Sequence, residues 1–271
     1  MNLGLSGKKA LVTGGSSGIG AGIAKMLAEE GCIVVVHGRD RDRTQATVQA
    51  IRDAGGQALP VVADLMIDAD AARLEHEIDA MPGTIDILVN NFGGADGTTS
   101  MPWDAVTPEL WLDTHMRNSG VAVRLIRHLL PAMKAKRWGR IIQVASAAAT
   151  QPMTYGPDYG AAKAALLNLT VSLAKEVAGA GITSNAISPG IILTPGVEEW
   201  LIKLGEQNGW HGLTPDEIHA RAIGHLSAAS VGRIGRPADI GHAVCMIASP
   251  AAGYMTGANI RVDGGQLATV G

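Results

Sequence analysis

A short apolar run, Lys9 to Thr13 (KALVT), opens directly into GGSSGIG from Gly14 to Gly20. It is followed by AGIAKMLAEEG, where Ile23, Met26 and Leu27 recur at helical spacing until Gly31 closes the segment. Few architectures accept strand, glycine-rich turn and helix in that order. Gly14 permits a sharp bend, and Gly18 lets a diphosphate approach the backbone, while the helix N-terminus offers free N–H groups and positive potential. The order predicts the first βα unit of a dinucleotide-binding sheet, with Gly14, Ser16, Ser17, Gly18, Ile19 and Gly20 around the pyrophosphate.

The rhythm continues along the chain. Apolar runs at Cys32 to His37, Ala58 to Ala63, Ile85 to Val89, Arg140 to Val144, Thr183 to Ile187 and Ala258 to Val262 alternate with helical patterns. Those patterns cover Arg43 to Ala54, Asp68 to Ala80, Thr107 to Lys136, the stretch after Tyr159, and Ala238 to Ala248. Such alternation predicts an α/β fold: a Rossmann-type doubly wound parallel sheet of about seven strands, helices on both faces, in three α/β/α layers. The expected organisation is one domain over residues 1–271, with an insertion at about 194–230.

Composition narrows the function. Aromatic residues make up 3% of the chain, so Ala, Val, Ile and Leu must build the core. With 22 Lys and Arg against 25 Asp and Glu, the net charge of −3 gives no polyanion-binding footprint. Cys32 and Cys245 read as small buried hydrophobes. The start of the chain lacks a signal-peptide core and no apolar run approaches a membrane span, so a cytoplasmic location is expected.

Open α/β sheets bind ligands at the carboxyl ends of their strands, and polar residues gather at those positions here. After the second strand come Gly38, Arg39 and Asp40. Gly38 stands where an NAD site carries its ribose-binding acid, and Arg39 suits a 2′-phosphate, so NADP(H) is favoured. Asp40 keeps NAD(H) possible, and Arg39 could instead stack on adenine. Asp64 and Leu65 close the third strand, where a carboxylate could accept from the adenine amino group or, rather early, cap the next helix. Asn90, Asn91, Phe92 and Gly93 follow the fourth strand, and Asn118 lies in a helix that asparagine disfavours.

Ser146 follows the fifth strand, and Tyr159 and Lys163 stand four apart. If Tyr159 opens a helix, that spacing puts phenol and ammonium on one face. A neighbouring cation lowers the phenol's usual pKa of about 10 and suits it to proton exchange with an alcohol or carbonyl oxygen. An isolated pair of this kind is more often a packed aromatic and a solvated charge; the other strand ends favour the chemical reading. Beyond the sixth strand, Pro189, Gly190, Ile192 and Thr194 lead into the insertion, which carries Trp200, Leu201, Trp210 and Leu213. These apolar residues point to a lid over an apolar or ring-bearing substrate, or to an oligomer contact. His211, His219 and His225 lie there too, without metal-ligand spacing.

Together these segments resemble the short-chain dehydrogenase/reductase family. TGGSSGIG from Thr13, Asn90-Asn91 with Gly93, NAISPG from Asn185 with Thr194, GRIGRPADI from Gly232 and YMTGANIRVDGG from Tyr254 match its motifs. Asn118, Ser146, Tyr159 and Lys163 match its catalytic tetrad in order and spacing. The resemblance implies Tyr159 as general acid/base and Ser146 bonded to the substrate oxygen. It implies that Lys163 lowers the Tyr159 pKa and holds the nicotinamide ribose, and that Asn118 holds a relay water. It also implies a ketone or secondary alcohol substrate and a homo-oligomer, tetramer or dimer, paired through the helices bearing Asn118 and Tyr159. Among relatives the likeness is greatest to 3-oxoacyl-[acyl-carrier-protein] reductases; a nucleotide-sensing protein on the same fold is the alternative of another class. Two residues depart from the pattern: Phe92 replaces a small Ala, and Ser17 stands where NADP-preferring members often carry a basic residue.

Overall fold

A computed structural model of the chain describes residues 2–94, 101–226 and 230–268. Most of the polar stretch between Gly94 and Pro102, and residues 227–229 of the insertion, lie outside the described residues. Seven parallel strands form one sheet in the order β3-β2-β1-β4-β5-β6-β7. They are β1 Lys9–Val12, β2 Ile33–Gly38, β3 Gln57–Val62, β4 Ile87–Asn90, β5 Gly139–Val144, β6 Ile182–Pro189 and β7 Asn259–Val262. Between β1 and β4 the winding reverses, and the crevice at their carboxyl ends is where such sheets take ligands.

The helices are α1 Gly18–Glu29, α2 Arg41–Asp53, α3 Asp68–Asp79, α4 Pro108–His115, α5 Val121–Lys136, α6 Pro157–Glu176, α7 Pro195–Gln207, α8 Pro215–His225 and α9 Pro237–Ala248. Strands covered on both faces are mostly apolar, and every residue of β1, β4, β5 and β6 is buried, including polar ones such as Arg140, Gln143 and Asn185. One face packs Val12, Val34, Val89 and Ile142 against Ile23 and Leu27 of α1, Val48 and Ile51 of α2, and Ile240 and Val244 of α9. The other packs Leu11, Val35, Leu88 and Ile141 against Leu74 of α3, Leu125 and Leu129 of α5, and Leu173 of α6. Full burial of each such aliphatic side chain stabilises the fold by roughly 1.5–3 kcal/mol. Cys32 and Cys245 lie in the first layer as free thiols, and burial pushes both up to about 12, which leaves them inert.

Most boundaries shift by one or two residues from the sequence expectation, and three differences bear on the site. Helix α6 begins at Pro157 rather than Tyr159, because Gly156 takes a left-handed φ of 60° and Pro157 fits the first helical position. Strand β6 runs through Ser188 and Pro189, which pair with Arg261 and Val262 of β7. The segment expected as one helix from Thr107 to Lys136 is interrupted by a π-helical turn, Met116–Gly120, between α4 and α5.

The insertion has a small core of its own, with Leu201, Ile218 and Ala222 at its centre. Its base is closed by a parallel bridge between Ile192 and Gly235, where Leu193 N donates to Gly235 O at 2.8 Å and Gly235 N to Ile191 O at 3.0 Å. Leu112, Met116 and Val123 on the α4–α5 run and Val171 on α6 are exposed, on the helices through which the family resemblance implies subunit pairing. No helix among the described residues is long and apolar enough to cross a membrane.

Candidate active site

Ser146 stands just beyond β5, where it caps a short 3₁₀ turn by accepting from Ala148 N at 3.1 Å. The same hydroxyl neighbours the phenol of Tyr159, in the first turn of α6, and favours its ionised form. One turn further on, Lys163 is 4% exposed, and its ammonium donates to the carbonyl of Val144, the last residue of β5, at 2.9 Å. The same Nζ lies 5.7 Å from the centre of the Tyr159 ring. The fold therefore gathers three of the four tetrad side chains at one strand end.

Burial adds to their electrostatics. It raises the Tyr159 pKa above its ordinary value, and the neighbouring Ser146 hydroxyl only partly opposes that rise. The Lys163 ammonium, bonded to Val144, keeps two further N–H donors and its charge for a phenolate formed beside it. Part of the Tyr159 surface stays open, so solvent tempers the rise. Burial also lowers Lys163, to about 8. The resting pair is a protonated phenol beside an ammonium that loses its charge just above neutrality.

Asn118 lies within the π-helical turn, a distortion common at functional sites. The sequence reading gives it a relay water. In the structure both its amide hydrogens are engaged, with Gly94 O at 2.8 Å and Thr114 O at 2.9 Å, while its oxygen accepts from Gly94 N at 3.0 Å. Its side chain is thus committed to bracing the segment after β4. A methyl placed on Gly93 would come 2.5 Å from Asn118 Oδ1 and 3.5 Å from Lys163 Nζ, so the Gly93 backbone fits closely against both. Thr114 and Asp158 were not singled out by the sequence: Thr114 Oγ1 donates to the fully buried Asp158 at 2.6 Å, fixing the π-helical run to the residue before Tyr159.

The glycine-rich turn is held from β4. Thr13 Oγ1 accepts from Asn91 N at 3.0 Å and Phe92 N at 2.9 Å, and Asn91 Nδ2 donates to Thr13 O at 2.9 Å and Gly14 O at 3.2 Å. Ser17 caps α1 without a side-chain bond to the first turn, so the N–H groups of Gly18, Ile19 and Gly20 keep no side-chain acceptor from it. A side chain at Gly38 would meet Ser16 at 2.6 Å and Thr44 at 2.4 Å, so an acid cannot be accommodated there. Asp40 caps α2 through Arg43 N at 2.9 Å and pairs with the Arg43 side chain, whereas Arg39 is exposed and makes no ion pair among the described residues.

Asp64 accepts from Met66 N at 3.0 Å within its own turn, and the cap position of α3 falls to Ile67. Leu65 is fully buried in the core and has only its backbone to offer a ligand. At the other end of the crevice Pro189 ends β6, Gly190 follows, Ile192 is buried, and Thr194 caps α7 by accepting from Val197 N at 3.3 Å. Open N–H groups at a helix start, an uncommitted guanidinium beside β2 and a glycine-lined approach to Tyr159 fit a phosphorylated dinucleotide.

Phe92 does not fill that approach. Its ring turns edge-on to His37 at 6.1 Å and packs against the core between the sheet and α5. The lid residues are redistributed too. Leu201, Trp210 and Leu213 pack in the insertion's own core, with His225 edge-on to Trp210 at 5.4 Å, and only Trp200 of the four is exposed. That packing accounts for the apolar character of Leu201, Trp210 and Leu213, and leaves Trp200 at the surface.

Comparison with known proteins agrees with this geometry. The family model for short chain dehydrogenase matches residues 8–204, and the chain belongs to that family. It is 36% identical over 275 residues to an uncharacterized oxidoreductase, YvaG, of Bacillus subtilis, covering all of both chains. It is also 36% identical to the 3-oxoacyl-[acyl-carrier-protein] reductase FabG of Vibrio cholerae, over 96% of this chain and 98% of that one. The solved L-sorbose reductase of Gluconobacter frateurii, complexed with NADPH and L-sorbose, superposes with a TM-score of 0.91 at 33% identity over the whole of both chains.

The Lys163 environment sets a pH limit. With Tyr159 as proton donor and Lys163 as its charged partner, the roles the family resemblance implies, kcat/KM for carbonyl reduction is expected to fall as pH rises through about 8. In Lys163→Met that limb should disappear along with most of the rate, which a pH profile of both proteins measures.

Proposed function

We propose that this chain is an NADP(H)-dependent oxidoreductase that interconverts a small ketone and its secondary alcohol, with NAD(H) as the weaker coenzyme. The observation that carries the reading is the Ser146–Tyr159 hydroxyl pair beside the buried Lys163 ammonium. A bound nicotinamide supplies or accepts the hydride at the carbonyl carbon. Ser146 holds the substrate oxygen, and Tyr159 gives that oxygen its proton in reduction and takes it back in oxidation. Lys163, anchored on Val144, stabilises the phenolate left behind. Gly93 and Asn118 shape the wall beside them.

The two kinds of relative suggest two substrate classes. Full-length superposition on a ketose reductase, insertion included, and the packing of Leu201, Trp210 and Leu213 in the insertion's own core favour a polyhydroxy ketone; the FabG likeness supports a 3-oxoacyl thioester. Following reduced-nicotinamide absorbance with ketoses and 3-oxoacyl thioesters should give turnover on the former. Tyr159→Phe should lose about 10²–10⁴-fold in kcat/KM. Undiminished turnover in that variant overturns the mechanism.

Arg39 is the candidate for the 2′-phosphate. Arg39→Ala is expected to raise the KM for NADPH by about tenfold or more, the loss of a charge-assisted contact, while the KM for NADH moves little. Equal changes would reject the assignment.

The α7–α8 insertion is the candidate lid. Limited proteolysis should show residues 194–226 protected when NADPH and a turned-over ketone are both present; cleavage at an unchanged rate would make it scaffold.

A further inference from the structure

His37, the fifth residue of β2, is fully buried and takes no part in the chemistry above. Its ring nitrogens have two partners of opposite kind. Gly14 N donates to Nδ1 at 3.1 Å, and Nε2 lies 3.0 Å from the carbonyl of Ala63. A carbonyl can only accept and an N–H can only donate, so the ring is forced to carry its single proton on Nε2. The His37 backbone adds a third tie, since its carbonyl accepts from Gly15 N at 2.7 Å. Phe92 closes one side of the ring edge-on.

These contacts join the separate parts of the crevice. Gly14 opens the glycine-rich turn, Ala63 precedes Asp64 at the end of β3, and Phe92 follows the Asn91 that braces the same turn. From this geometry we infer that His37 is a positioning residue for the coenzyme: a neutral strut with one allowed tautomer that sets Gly14 and Gly15 in the form that receives the diphosphate. The inference rests on the dinucleotide reading of that turn. A proton added to Nδ1 would set two donors against each other at Gly14. Burial opposes that, lowering the ring's pKa to about 4, with Asp64 as the nearby charge acting the other way.

Two substitutions separate the bonds. In His37→Asn the amide oxygen stands near the Nδ1 position and keeps an acceptor for Gly14; in His37→Gln the longer amide reaches toward Ala63 instead. NADPH dissociation constants measured by fluorescence titration should stay within about threefold of wild type for Asn and weaken by at least about tenfold for Gln, the consequence of an unpaired backbone N–H. Nitrogen-15 NMR of imidazole-labelled wild-type protein at pH 7, without coenzyme, should show the proton on Nε2 alone. Equal dissociation constants in the two variants, or a ring protonated on Nδ1 or on both nitrogens, overturn the inference. Failure of the wild type itself to bind NADPH would instead reject the coenzyme reading, leaving the tautomer result to stand on its own.

Discussion

One hydrogen bond, from the Lys163 ammonium to the Val144 carbonyl, fixes the rest of the site. It ties the first turns of α6 to the last residue of β5, with Ser146 two residues beyond it. A buried ammonium with one neutral partner is poorly solvated, which is why it titrates far below an ordinary lysine. A charge held this way responds strongly when a phenolate forms next to it, because little water is present to screen the pair.

Around that bond the structure works by close backbone approach. The π-helical turn brings the Asn118 amide against Gly94, and Gly93 then has room for hydrogen alone beside Lys163. Thr13 and Asn91 do the same for the glycine-rich turn, tying β1, β4 and Gly14 together. The two halves of the crevice therefore share one origin, the residues that follow β4. Their positions are set by hydrogen bonds to main chain, which tolerate little displacement.

What was legible in the sequence was local. The GGSSGIG turn, the Tyr159–Lys163 spacing and the strand periodicities each lie within a few residues, and each sits in the structure where its pattern puts it. What escaped depends on pairs far apart in the chain. Thr114 and Asp158 are 44 residues apart and meet only once α4 and α6 pack. His37 occupies an ordinary strand position and is distinguished only by Gly14 and Ala63 arriving on either side of it. The π-helical turn adds a single residue per turn, too little for apolar spacing to register. The burial that raises the Tyr159 pKa is likewise a property of the assembled fold. Composition also does not show that Trp210, Leu201 and Leu213 pack in a small core of the insertion.

The bridge between Ile192 and Gly235 gives the insertion two fixed posts. Everything between them starts and finishes at the same place on the sheet, whatever its length or content. Lengthening such a closed excursion costs little chain entropy, since the penalty grows only logarithmically. The rim above the crevice can therefore diverge, helix by helix, while the strand ends beneath it stay as they are; a scaffold of this kind can change its clientele without relearning its chemistry.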